Sequence, residues 1–230
     1  MSAPAIQSPL PARQLRDVCL ILALIVVVLT VVPPLSVDSR NYVFAESIQF
    51  ALLALCVPAL VVLGAPLERW SRARVGRWPA GGNSSDSSRG WLSVTGRLLV
   101  FFAATILWRT PIVVDALVRI PALVAAEFAT FLVVGVALWS QLVASPPLLP
   151  KLRSGQRIVP ATVAMWMIWI LAYFVGFSHS SWYPAIHHVH SALSLVADQE
   201  LATGVLWAAA AAAFVPVVFV NLIRFLRPEV

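Results

Sequence analysis

The chain has 230 residues, of which 60% are hydrophobic and 11% charged. Soluble globular domains carry about 25% charged residues, so this composition excludes an ordinary soluble domain and points to a polytopic membrane protein. The formal net charge of +6 comes mostly from arginines in connecting segments. That pattern fits membrane orientation, not nucleic-acid binding, and no nucleic-acid partner is expected.

Residues 1–15 are polar and contain proline, and are expected to be a disordered tail. Residues 16–227 are expected to form one transmembrane helical domain within the lipid bilayer. The first apolar run, 18–35, follows Arg13 and Arg16. It is longer than the apolar region of a signal peptide, and Pro33-Pro34 is no small-residue cleavage site, so an uncleaved first helix is expected. The second helix, 42–67, carries Glu46 and Gln49 one turn apart on one face. Pro58 and Gly64 are tolerable within a span. Residues 68–93 hold arginines 69, 72, 74, 77 and 89 around GGNSSDSSRG, a flexible basic loop by composition.

The third helix, 94–112, has Arg109 near its end. Residues 112–119 are too few to span and carry Asp115 and Arg119, so a short interfacial helix is expected there, ended by Pro121. The fourth helix, 121–144, has Glu127 in its second turn. Lys151, Arg153 and Arg157 precede the fifth, 158–177, which is rich in Trp and Met. A polar stretch then holds His179, His187, His188 and His190 and no Lys or Arg. The sixth helix, 197–225, has Gly204, Ala208 and Ala212 at every fourth position, a spacing that suits close packing in lipid. Asp198 is expected to cap it.

The fold class is therefore an all-α bundle of six transmembrane helices. Basic residues fall at alternate connections, which places both termini in the cytoplasm. Glu46 then lies about 6 Å and Glu127 about 9 Å below the outer boundary, at 1.5 Å per residue. Gln49, Arg109, Asp115, Asp198 and Glu200 fall at similar depth, and the inner half reads as almost purely apolar. A charge near the bilayer centre costs about 2.5–3.5 kcal/mol, so Arg109 is expected to pair with Glu46 or Glu127 and lock three helices together. This layer favours a site opening outward over a continuous ion path.

His187-His188-x-His190, with His179 as a further ligand, is the candidate metal site, since neutral imidazole binds copper and zinc. Met165 and Met167 are two apart and face different ways, so they read as packing residues. Cys19 and Cys56 lie within apolar runs and read as small core residues, not a disulfide. Trp91, Trp108, Trp139 and Trp182 fall near helix ends, as in an interfacial belt. No nucleophile–base arrangement or phosphate-cradling loop appears, so no enzyme is expected. No internal inverted repeat supports a transporter.

Three segments carry a family resemblance: FAESIQFALLALCVPALVVLGAPL (44–67), WRTPIVVDALVRIPALVAAEFATFLVVGVALW (108–139) and DQELATGVLW (198–207). They resemble the cytochrome c oxidase assembly factor CtaG family. Members commonly carry one further N-terminal helix. The resemblance implies a multi-pass protein of the bacterial plasma membrane that assists oxidase assembly. It implies oxidase subunits as partners and copper delivery on the outer face. Where the family has a His-x-x-x-His pair on the second helix, this chain has Glu46 and Phe50, with Gln49 retained. The family's Trp-His-x-Pro becomes Trp108-Arg109-Thr110-Pro111. Two further histidines become Val124 and Phe128 on either side of Glu127, which matches. The alternative is a metal-free accessory or scaffold protein that interacts with oxidase subunits.

Overall fold

The computed structural model describes residues 12–65, 87–143, 150, 152–178, 182–183, 186 and 193–227. All regular structure among them is helical: α1 (Ala12–Val31), α2 (Leu35–Asp38), α3 (Val43–Gly64), α4 (Ser87–Arg109), α5 (Pro111–Arg119), α6 (Pro121–Leu142), α7 (Ser154–Gly176) and α8 (Leu195–Leu226). Six of these, all but α2 and α5, are long and apolar enough to cross a membrane. Residues 1–11 of the expected tail, 66–67 of the expected second helix and 68–86 of the expected basic loop lie outside the described residues.

The largest boundary shifts are at two helix starts. α1 begins at Ala12, inside the expected tail, and α4 begins at Ser87, inside the expected loop. Hydropathy marks only the bilayer-thick part of a helix. Polar residues of good helix propensity, such as Gln14 and Arg16, carry α1 past that edge. The short interfacial helix appears as α5, entered through Thr110 in an extended conformation, as the residue before a proline prefers.

Prolines shape the first two spans. α1 ends before Pro33-Pro34, and Pro34 has no N–H for the Thr30 carbonyl four residues back. Gln49 Nε2 donates to that carbonyl instead, at 2.8 Å. In α3, a π turn over Leu52–Cys56 immediately precedes Pro58. A proline ring clashes with the carbonyl four residues earlier, and widening the helix there takes up the clash. α6 approaches this same place: a Cβ on Gly135 would lie 2.5 Å from Pro58 Cγ and 3.2 Å from the Ala54 carbonyl oxygen. Gly135 is thus required by backbone proximity.

The core joins α3, α4, α6, α7 and α8 through Phe50, Phe101, Phe131, Leu138, Ile168 and Phe214. Trp139 stacks on Phe214 with ring centroids 5.3 Å apart. Trp139 and Trp108 are both buried, so neither belongs to the interfacial belt expected of them. Met165 and Met167 pack against the core, and Cys19 and Cys56 are free thiols.

The expected small-residue seam of α8 is corrected. Gly204, Ala208 and Ala212 are exposed, and a Cβ on Gly204 would meet nothing within 4 Å. The buried stripe is Asp198, Ala202, Leu206, Ala210 and Phe214. A helix can turn only one stripe inward, and the one bearing Leu206 and Phe214 removes more apolar area from contact with the surroundings. Close approach of α7 and α8 comes instead from Gly176, whose Cβ would lie 2.3 Å from Thr203 Oγ1. Trp169 Nε1 donates to the Trp207 carbonyl, and Trp207 Nε1 to the Trp169 carbonyl, at 3.1 and 3.3 Å.

The half of the bundle opposite Glu46, expected to be almost purely apolar, is not. Arg97, about 10 Å along α4 from Gly90, donates from Nη1 to the Ala137 carbonyl and Ser140 Oγ, both at 3.0 Å. Gln141 Nε2 joins the same hydroxyl, and Asn221 is buried on α8.

Candidate functional site

At the Glu46 end, a cavity of about 400 Å³ opens between α2, α3, α5 and α6. Glu46 and Gln49 face it from α3, because three residues bring a helix back to the same side. Glu127, Val124 and Phe128 face it from α6, and Arg40 lies at its margin.

Arg109 holds Glu46 from α4. It is 4% exposed, at the last residue of α4. Its Nη1 donates to Glu46 Oε2 and forms the ion pair, and it reaches Ser47 Oγ at 3.4 Å. The guanidinium lies over the Phe50 ring, 4.3 Å from its centroid, and Phe50 meets Phe131 edge-on. Arg109 Nε and Nη2 are buried without a hydrogen-bond partner. Of the two carboxylates expected to compete for Arg109, Glu46 holds it. Glu127 is near enough to feel the charges of both, yet no hydrogen bond to it exists among the described residues. Two carboxyl groups thus stand beside one buried guanidinium, and only Glu46 is bonded to it.

The geometry gathers Glu46, Gln49, Arg109 and Glu127, as the depth argument requires. It separates Asp115, Asp198 and Glu200 from them. Asp115 is half-buried on α5, but Val114, Leu117 and Val118 face the cavity in its place. Asp198 does not cap its own helix. Ser194 does, its Oγ accepting the Ala197 N–H at 3.2 Å. The Asp198 carboxylate instead accepts the Val43 N–H at 2.8 Å and the Phe44 N–H at 3.0 Å. It caps α3 from across the bundle, satisfying donors that an N-terminus leaves orphaned. Glu200 is exposed. His179, His187, His188 and His190 lie outside the described residues.

Two supporting residues give no signal in isolation. Tyr183, fully buried, donates its hydroxyl to the Arg109 carbonyl at 3.0 Å. Burial pushes its phenol above the ordinary value of 10.0, so it stays protonated and able to donate. Gln199 accepts the Trp182 N–H and donates to the Val175 and Ser178 carbonyls, tying α8 to the end of α7. Its place beside Asp198 in the first turn of α8 was the only hint.

The cavity's donors are carboxylate and amide oxygens, with a buried cation beside them. Soft or imidazole ligands suit copper, and hard oxygens suit magnesium or calcium, so this constellation does not fit copper. Among the described residues, no three His, Cys, Asp or Glu side chains converge as a metal site. Notably, Glu46, Phe50, Arg109, Val124 and Phe128, which align with imidazoles in the resemblance, all surround this one place.

The model of the cytochrome c oxidase caa3 assembly factor family matches residues 7–228. No curated protein and no solved structure matches the chain.

Proposed function

The chain belongs to the cytochrome c oxidase caa3 assembly factor family, and from that premise we propose that it assists oxidase assembly through the Glu46–Glu127 cavity. In this reading the protein lies in the bacterial plasma membrane with both termini cytoplasmic, and the cavity opens on the outer face. The arginines at the opposite end support that orientation. The observation that carries the reading is Glu127: a carboxylate in an open cavity, with no hydrogen bond, beside an arginine already held by Glu46. A lysine or arginine from an oxidase subunit would supply the hydrogen-bond donor that Glu127 lacks. The protein acts as a partner of the assembling oxidase and not as an enzyme.

Co-purification from membranes that express the oxidase tests this. Losing a hydrogen bond to a charged group costs about 1.5–3 kcal/mol, so Glu127→Gln should reduce recovered oxidase subunits at least about tenfold. The variant's thermal unfolding should match wild type, because Glu127 makes no internal hydrogen bond. Undiminished recovery would sink the cavity as the contact site.

Copper delivery is a second reading, favoured by His187-His188-x-His190 and His179 and not by the cavity. Metal content of the purified protein separates the two. Near-stoichiometric copper in wild type, absent when His187, His188 and His190 are all replaced by Ala, supports copper handling by that connection. Copper in neither, with oxidase still recovered, leaves the metal-free scaffold.

A further inference from the structure

We propose that a groove between α3 and α8, at the end opposite Glu46, seats an acyl chain of an anionic phospholipid whose phosphate is held by Arg224. The groove has a volume of about 540 Å³. Its walls are the π turn and final stretch of α3 and the 209–224 stretch of α8, with Trp139 and Leu142 of α6 behind. The lining residues Leu63 and Val220 are exposed, so the groove opens sideways to lipid.

The occupant follows from charge and from unmet polar groups. Arg224 stands at one end of the groove. Its surroundings are cationic: Arg157, at the start of α7, is near enough for the two charges to repel. Arg153 and Arg227 lie on the same two helix ends, which touch where a Cβ on Gly155 would meet the Phe225 ring at 2.6 Å. Among the described residues no carboxylate pairs with any of these four arginines. An anion is needed there, and a protein facing a membrane finds one in a lipid phosphate.

The wall also has polar atoms that nothing in the protein satisfies. Asn221 lies one turn before Arg224 on α8, and both line the groove. Its Nδ2 donates to the Val217 carbonyl, but its Oδ1 is buried and has no donor. Trp139 Nε1 is buried without an acceptor. Pro216, also lining the groove, removes the N–H that would bond the Ala212 carbonyl. With its phosphate at Arg224, a phospholipid places its ester carbonyls, which accept hydrogen bonds, at the depth of Asn221 and its acyl chain along the apolar wall. An apolar transmembrane helix from a partner would bring no anion to Arg224.

Native mass spectrometry of the detergent-purified protein, with dioleoyl phosphatidylglycerol or dioleoyl phosphatidylcholine added, tests the assignment. Wild type should retain one phosphatidylglycerol roughly fivefold better than phosphatidylcholine, the scale of one basic residue at an anionic surface. Arg224→Gln should abolish that preference. Ala212→Leu, on the exposed groove wall, should lower retention of both lipids, while Gly204→Leu, outside the groove, should leave retention at the wild-type level. Equal retention of the two lipids by wild type, or undiminished preference in Arg224→Gln, overturns the proposal, whether or not Ala212→Leu folds. A benzophenone amino acid at position 212 identifies the occupant in membranes. A lipid adduct supports the proposal; a crosslink to a second copy or to another protein overturns it.

Discussion

The two ends of this bundle solve opposite problems. At the Glu46 end, polar groups are drawn inward and spent on one another across sequence distances of 63 to 155 residues. Arg109 is paired, Asp198 caps a distant helix, and Tyr183 and Gln199 tie a loop to helix ends. At the Arg224 end, Arg153, Arg224 and Arg227 are exposed and have no acidic partner among the described residues, and buried Asn221 and Trp139 have atoms left over. The first end is tied across the bundle but leaves Glu127 and two nitrogens of Arg109 without hydrogen bonds; the second is open along a groove. Unmet polar groups in a membrane protein are expensive, so the places where they remain are where an external ligand is called for. Here that points to the Glu127–Arg109 site at one end and the Asn221–Arg224 face at the other.

The contrast can be broken most strongly at Arg109. Removing one partner of a buried ion pair costs about 3–5 kcal/mol. Arg109→Met should therefore lose that much unfolding free energy in micelles. The Arg109→Met, Glu46→Met double variant should recover part of it, because no unpaired charge then remains at that pair. A cost under about 1 kcal/mol for the single variant would mean that the pair is no lock.

Asp198→Ala comes next. It strips a charged acceptor from two backbone N–H groups at the start of α3, which is worth about 2–3 kcal/mol. Hydrogen exchange should show the first turn of α3 opening before the rest of the bundle. If the start of α8 opens instead, Asp198 acts within its own helix and the cross-bundle cap is wrong.

The smallest effect tests the far half, where close backbone approach does the holding. Gly135→Ala pushes a methyl group into Pro58 and the Ala54 carbonyl, at a cost of about 1–3 kcal/mol. Gly204→Ala, with open space around it, should shift stability by no more than about 0.5 kcal/mol. Equal effects would show that α6 and α3 can separate there without penalty.

Six spans, the α5 insertion and the shared depth of Glu46, Gln49, Arg109 and Glu127 were legible in residue order. They follow from apolar length, the proline punctuation and a rise of 1.5 Å per residue, none of which needs a partner to be known. What the chain could not disclose is rotation about each helix axis. Depth is fixed along an axis, whereas facing is fixed only by what packs beside it. Hence the stripe of Gly204, Ala208 and Ala212 looked like a seam and proved to be outside, and Asp115 shared the depth of the site but not its face. Asp198 was recognisable as a cap, but which helix it caps depended on α8 lying against the start of α3. The choice of Glu46 over Glu127 for Arg109 was likewise tertiary: both carboxylates are within reach by depth, and only the angle between α3, α4 and α6 leaves one of them free.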